Sequence, residues 1–185
     1  MFDLHQLRTN CEARNIPIIS KATEGFLAKM LKKTKPAVCL EIWWAVGYSG
    51  IYMANIINKR WGKLYSLEIS YPGYREWRYN TIASQTYNLI SYPYNALEIP
   101  LEKFLPQNHV DFVFVDGQKA QYGSYLAKLE NICTDKTVIV IDDVIKYHHK
   151  LTSLYWYLEK KQINYKIVQL DPDDGVMIIG GDLWI

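Results

Sequence analysis

The sequence predicts an α/β fold built on a mostly parallel sheet. Two observations carry this. Apolar runs of strand length alternate with segments of helical periodicity through most of the 185 residues. The central runs are continuous rather than alternating, as expected for strands covered on both faces. In such sheets ligands bind beyond the carboxyl ends of the strands. Acids collect at these ends: Glu41, Glu68, Asp116, Asp142 and Asp143.

Each element has its own signal. Thr23 to Lys33 (TEGFLAKMLKK) places Phe26, Leu27, Met30 and Leu31 on one helical face, with Lys32 and Lys33 in its last turns. Pro36 stops it, and AVCLEI (37–42) is a buried strand. SGIYMANIINKR (49–60) is a helix with Ile51, Ala54 and Ile57 inward and Met53 and Ile56 beside them. KLYSLEI (63–69) is the next strand, and a helix starts near Pro72. YNLISY (87–92), VDFVFVD (110–116) and TVIVID (137–142) are strands. GSYLAKLENI (123–132) and residues 149–161 are helices, and INYKIVQL with GVMIIG forms a closing pair of strands. No repeat, linker or low-complexity tract interrupts the pattern, so residues 1–185 form a single domain, with a helical part at 1–35 and a core at 36–180.

The net charge of +2 does not by itself argue for nucleic acid. No apolar run is long enough to span a bilayer, and MFDLHQLRTN has no apolar signal core. Cys11, Cys39 and Cys133 are widely spaced and odd in number, which suits buried thiols in a reducing compartment. The expected location is the cytoplasm. The fifteen tyrosines are read chiefly as core and interface filling. His148 and His149 are read as exposed residues beyond the acids, and His5 and His109 carry no readable role.

Four blocks, LEIWWAVGYSGIYMA (40–54), YSLEIS (65–70), DFVFVDGQKAQY (111–122) and VIVIDDV (138–144), resemble the S-adenosylmethionine-dependent class I methyltransferases. More narrowly, they are similar to the metal-dependent O-methyltransferases that include the catechol and caffeoyl-CoA enzymes and the bacterial tRNA wobble-uridine 5-hydroxyl methyltransferases. The resemblance implies a Rossmann-like sheet of seven strands with the last antiparallel, helices on both faces, and a homodimer. It implies a cofactor site at Glu41, Trp43, Gly47, Tyr48, Ser49, Glu68, Asn95, Ala96 and Asp116. Glu68 suits the ribose hydroxyls, because a strand-end carboxylate can accept both. Asn95 and Ala96 would lie near the adenine. Asp116, Asp142 and Asp143 would hold a divalent cation, most simply Mg2+, with Asp143 near the second acid and the family's usual asparagine not evident. Asp116 and Lys119 would be catalytic, with Lys119 a base whose pKa a nearby cation lowers. The acceptor would be a hydroxyl on a tRNA wobble uridine or on a small phenol or catechol. Only VIKYHHK separates the acids from the next helix, and so short a cover favours a bulky acceptor.

Trp43 and Trp44 stand where the family has Gly-Thr or Gly-Ser. Overpacking a fitted site costs ~1–3 kcal/mol, or roughly 5- to 150-fold in affinity. The pair is compatible with an enzyme whose loop has moved. Glu68, Asp116, Lys119, Asp142 and Asp143 all remain, which favours the enzyme; the alternative is a cofactor-blocked or engineered chain that serves as a non-catalytic binding protein.

Overall fold

The computed structural model describes residues 2–42, 45–68, 71–105 and 109–181. Trp43 and Trp44 lie outside the described residues, so the expectations attached to them stay with the sequence. The strands are β1 (Val38–Ile42), β2 (Lys63–Leu67), β3 (Leu89–Tyr92), β4 (Phe112–Val115), β5 (Val138–Ile141), β6 (Tyr165–Gln169) and β7 (Gly175–Ile179). They form one sheet in the order β3-β2-β1-β4-β5-β7-β6. Strands β1 to β5 pair in parallel, and β7 runs antiparallel to both of its neighbours. Every residue of β1, β4, β5 and β7 is buried, which explains why their sequences are continuous apolar runs.

The helices are α1 (Leu4–Ala13), α2 (Lys21–Thr34), α3 (Tyr48–Asn58), α4 (Tyr71–Ala83), α5 (Leu101–Phe104), α6 (Tyr122–Leu129) and α7 (Thr152–Lys161). Two cores result, one on each face of the sheet. The first includes Leu40, Ile42, Val113, Val115, Tyr122 and Leu154. The second includes Leu27, Leu31, Ile51, Met53, Phe112 and Phe114. Helices α1 and α5 were not read individually from the sequence. The last helix starts at Thr152 rather than near 149, because His148–Lys150 form a separate 3-10 turn.

The N-terminal helices are tied to the sheet by a buried polar network. Ser20 caps α2 by accepting from the Thr23 amide. From α1, Arg8 pairs with Glu24 and donates to the Ile19 carbonyl at 2.8 Å. Arg8 Nε also donates to the Tyr48 hydroxyl at 3.1 Å, and that hydroxyl donates to Glu24 Oε1 at 2.6 Å. The guanidinium lies 4.7 Å from the Tyr48 ring centroid. Arg8, Glu24 and Tyr48 are each less than one-tenth exposed. Removing Arg8 leaves the buried Glu24 with only the exposed Lys21 as a charged partner among the described residues. Arg8→Met is expected to destabilise the fold by about 3–5 kcal/mol in urea unfolding. Arg8→Met/Glu24→Leu is expected to recover much of that loss, and a double variant no better than the single would show that the charge pair is not the source.

Candidate active site

The carboxyl ends of β1, β2, β4 and β5 open onto one side of the sheet. At the end of β1, Glu41 is fully buried and accepts from Ser49 Oγ at 2.5 Å and Ser66 Oγ at 2.6 Å. Burial pushes its pKa up, and the two hydroxyl hydrogen bonds oppose that shift. A side chain at Gly50 would lie 2.7 Å from Glu41 Oε2, so the glycine makes room for the acid. Just beyond β2, Glu68 is buried and accepts from the Ala45 amide at 2.6 Å. The loop entering α3 is thus held from both strands.

Gly47 closes that loop with a φ of 86°, a conformation glycine adopts without steric cost. The Trp77 ring packs directly on it, and a Cβ at position 47 would come within 2.2 Å of Trp77 Cδ1. Three residues further along α4, Asn80 donates to the Val46 carbonyl at 2.9 Å. Trp77 and Asn80 are both buried, and the Trp77 indole N–H has no hydrogen-bond partner among the described residues. These two residues position the loop from behind. The sequence offered only their three-residue spacing on one helix face, which is also an ordinary core pattern.

The Tyr48 side chain belongs to the Arg8–Glu24 network, so what it offers a ligand is its backbone at the start of α3. Ser49 gives its hydroxyl to Glu41. Asn95 is used locally: its amide donates to Glu98 at 2.9 Å and its carbonyl accepts from the Leu97 amide at 3.0 Å. Ala96 is buried in the first core.

The second half of the site is a cavity of about 770 Å³. Asp116, Lys119, Asp142 and Asp143 line it together with Tyr147 and the first turn of α2. Lys119 Nζ lies 2.6 Å from Asp116 Oδ1 and 2.6 Å from Asp143 Oδ2. Asp143 has a φ of 62°, which an aspartate tolerates, and burial, then the Asp143 carboxylate, raises the pKa of Asp174. Asp174 in turn accepts from the amides of Ile145, Lys146 and Gly175 at 3.2, 3.2 and 2.7 Å. In sequence, Asp174 in DPDDG reads as an ordinary turn residue. Thr23 Oγ1 lies 3.4 Å from Asp142 Oδ1.

Burial tends to lower the Lys119 pKa, but the charges of Asp116 and Asp143 and their hydrogen bonds outweigh it, and the net shift is upward. Beside these two carboxylates alone, Lys119 is held as a cation. Burial pushes Asp116 well above the ordinary carboxylate range; Lys119 opposes this, and Asp142 and Asp143 add to it. Burial, then the charge of Asp143, pushes Asp142 up to about 7.

Asp116, Asp142 and Asp143 have the hard oxygen donors that a divalent cation takes. Their arrangement does not fit one as it stands. The Lys119 ammonium bridges Asp116 and Asp143, and among the described residues no three His, Cys, Asp or Glu side chains are placed to hold an ion together. In this structure Lys119 neutralises part of the charge of that cluster. His148 and His149 are exposed, and the His148 ring lies against the Ile145 carbonyl.

A parallel sheet with one reversed strand, a glycine loop opening α3 and strand-end acids beneath a cavity together define a class I methyltransferase architecture. The O-methyltransferase family model matches residues 2–170, and the chain belongs to that family. Solved structures agree on the fold. An O-methyltransferase from Bacillus cereus, in complex with S-adenosylhomocysteine, superposes with a TM-score of 0.83 at 19% identity, covering 97% of this chain and 92% of that one. The Streptomyces achromogenes O-methyltransferase TomG, involved in tomaymycin synthesis and solved with S-adenosylmethionine, gives 0.82 at 17% identity, covering 98% and 91%. The Podospora anserina methyltransferase PaMTH1, bound to S-adenosylhomocysteine, gives 0.76 at 16% identity, covering 89% and 80%.

Gly47→Ala is expected to destabilise the fold through both the clash with Trp77 and the left-handed backbone. Relieving the clash in Gly47→Ala/Trp77→Leu recovers part of the loss and leaves about 1–2 kcal/mol from the backbone, read by urea unfolding of the double-mutant cycle. Asp142 supplies a pH prediction. Its folded pKa is raised, so the folded state gives up the proton less readily than the unfolded chain. Stability is full below about pH 4 and falls as pH rises to about 7. Asp142→Asn removes that dependence. Relative to the parent, it is expected to gain about 2–4 kcal/mol between pH 4 and pH 8, and equal slopes in the two proteins would refute the shift.

Proposed function

We propose that this chain transfers a methyl group from S-adenosylmethionine to the hydroxyl of a small phenol or catechol. The observation carrying this is the acid–lysine cluster in the wall of the 770 Å³ cavity, on the same side of the sheet as the Gly47 loop and Glu68. When bound, the cofactor supplies an electrophilic methyl group on a sulfonium. The chain's residues supply the rest. Glu68 and the start of α3 hold the cofactor at its ribose and methionyl ends. Asp142, pushed to about 7, takes the proton of the acceptor hydroxyl, because a base poised near the working pH is the effective one. The Lys119 ammonium, fixed by Asp116 and Asp143, holds the resulting oxyanion. The oxyanion so held would be placed to receive that methyl group, with the carbon–sulfur electron pair left on sulfur and the proton held on Asp142.

Among the described residues the cavity lining mixes Lys119, Lys146 and Lys150 with aspartates and offers no continuous cationic track for an RNA backbone, which favours a small acceptor. A homodimer in the cytoplasm accords with the resemblance, and sedimentation reads the oligomeric state. The second reading, a non-catalytic binding protein, draws on Trp43 and Trp44.

Calorimetric titration with S-adenosylhomocysteine, on this chain and on Trp43→Gly/Trp44→Thr, separates the two readings. Binding by both is expected; binding only by the double variant would mean a plugged cofactor site. Labelled methyl transfer is expected to a catechol panel and not to undermethylated tRNA. Its kcat/KM should rise with pH to a plateau above about 7. Asp142→Asn should lose roughly 10²–10⁴-fold together with that pH limb. Activity is expected to survive chelation. Loss in chelator with recovery in Mg2+ would show that a cation displaces Lys119 from the carboxylates.

A further inference from the structure

A second cavity, of about 490 Å³, lies at the opposite end of the molecule from the acids, between the start of α1 and the ends of α2 and α3. Its volume is within the range of small-molecule sites. Leu4, Tyr52 and Ile56 line it and are each only partly buried. Around them stand Lys32, Lys35, Lys59 and Arg60, all exposed. No carboxylate lines this cavity among the described residues. None of the four cations makes an ion pair among the described residues either.

The ordinary reason for cations here is the helix dipole, since α2 ends at Thr34 and α3 at Asn58. That accounts for only part of the charge. Two helix C-termini present roughly −0.5 each, so four cations leave an excess of about three positive charges. Like charges gathered around an apolar hollow repel one another, and an anion seated among them relieves the repulsion. The apolar walls require the rest of that ligand to be apolar. A nucleic acid backbone meets the charge condition but leaves Leu4, Tyr52 and Ile56 uncovered.

We infer that this cavity binds a small amphiphile, an alkyl or aryl body ending in a single carboxylate or phosphate, at a site separate from the candidate active site. The apolar body covers Tyr52 and Ile56, and the headgroup sits among Lys35, Lys59 and Arg60.

The test is calorimetric titration of the full chain with decanoate and with octyl phosphate, both below their micellar concentrations. Saturable binding of one molecule per chain is expected for at least one of them, and decanol should bind at least tenfold more weakly. Lys59→Glu/Arg60→Glu should weaken the anion at least tenfold, and Ile56→Asn should weaken it too. The charge variant should keep the parent's thermal midpoint and its affinity for S-adenosylhomocysteine. The charge variant lies on exposed positions and keeps the test independent of any folding defect in Ile56→Asn. Equal binding of decanol, or anion binding unchanged in the charge variant, overturns the proposal. So does binding only to polyuridylate or only to phosphatidylglycerol vesicles, which would mark a nucleic-acid or bilayer surface instead. Self-association abolished by Ile56→Asn, without decanoate binding, would show that a second copy covers the cavity.

Discussion

The candidate site depends on how a parallel sheet disposes of the acids at its strand ends. Adjacent parallel strands β4 and β5 bring Asp116, Asp142 and Asp143 together, and burial makes their charge expensive. Lys119 lies three residues after Asp116 and reaches Asp143 across the gap at 2.6 Å. One ammonium thus bridges two carboxylates and leaves Asp142 with only weak compensation from Thr23 and its own surroundings. The resulting division is chemical. Lys119 is held protonated, and Asp142 is held near neutrality of pH, so one group can carry positive charge while its neighbour exchanges a proton.

The cofactor side solves the same problem differently. Glu41 receives two hydroxyls and no cation, and Glu68 receives a backbone amide of the loop itself. Using Ala45 as the donor makes the loop's shape part of the acid's compensation. Trp77 and Asn80 press on the loop from the other side, at Gly47 and Val46. A loop clamped from both sides is preorganised, which lowers the ordering cost of ligand binding.

The parts legible in the sequence were those set by period and strand-end chemistry. Continuous apolar runs gave the parallel sheet, and Glu41 near the end of AVCLEI with the acids after VDFVFV and TVIVI pointed to one end of it. The closing strands were legible as a pair because GVMIIG is uniformly apolar and follows the DPDD turn. Helix α1 was missed because it buries little beyond Leu7, Arg8 and Cys11, too sparse a stripe for periodicity to register. The four-residue α5 is shorter than any periodic signal. In the site, residue identity was legible and state was not. Lys119 was found, but its protonation depends on which carboxylates it reaches, and Asp174 enters only through a contact with Asp143 that spans the β5–β7 return. Tyr48 was placed in the cofactor loop, while the direction of its hydroxyl was decided by an arginine forty residues away.

That arginine contact connects the two halves of the site. The first turns of α2 supply Ser20 and Thr23 to the cavity wall and Glu24 to Tyr48 at the start of α3. Thr23 reaches Asp142, and Tyr52, one turn into α3, donates to the Glu24 carbonyl at 3.2 Å. A displacement of α2 would therefore move the acceptor wall and the start of α3 together. Arg8 resists it by joining α1, the Ile19 carbonyl, Glu24 and Tyr48 through one guanidinium. Arginine suits this position because its planar group presents several donors at fixed angles, whereas a lysine would offer one centre of charge. The N-terminal helices are thus a brace across both ligand positions, and their stability is coupled to the geometry in which a hydroxyl would meet a methyl donor.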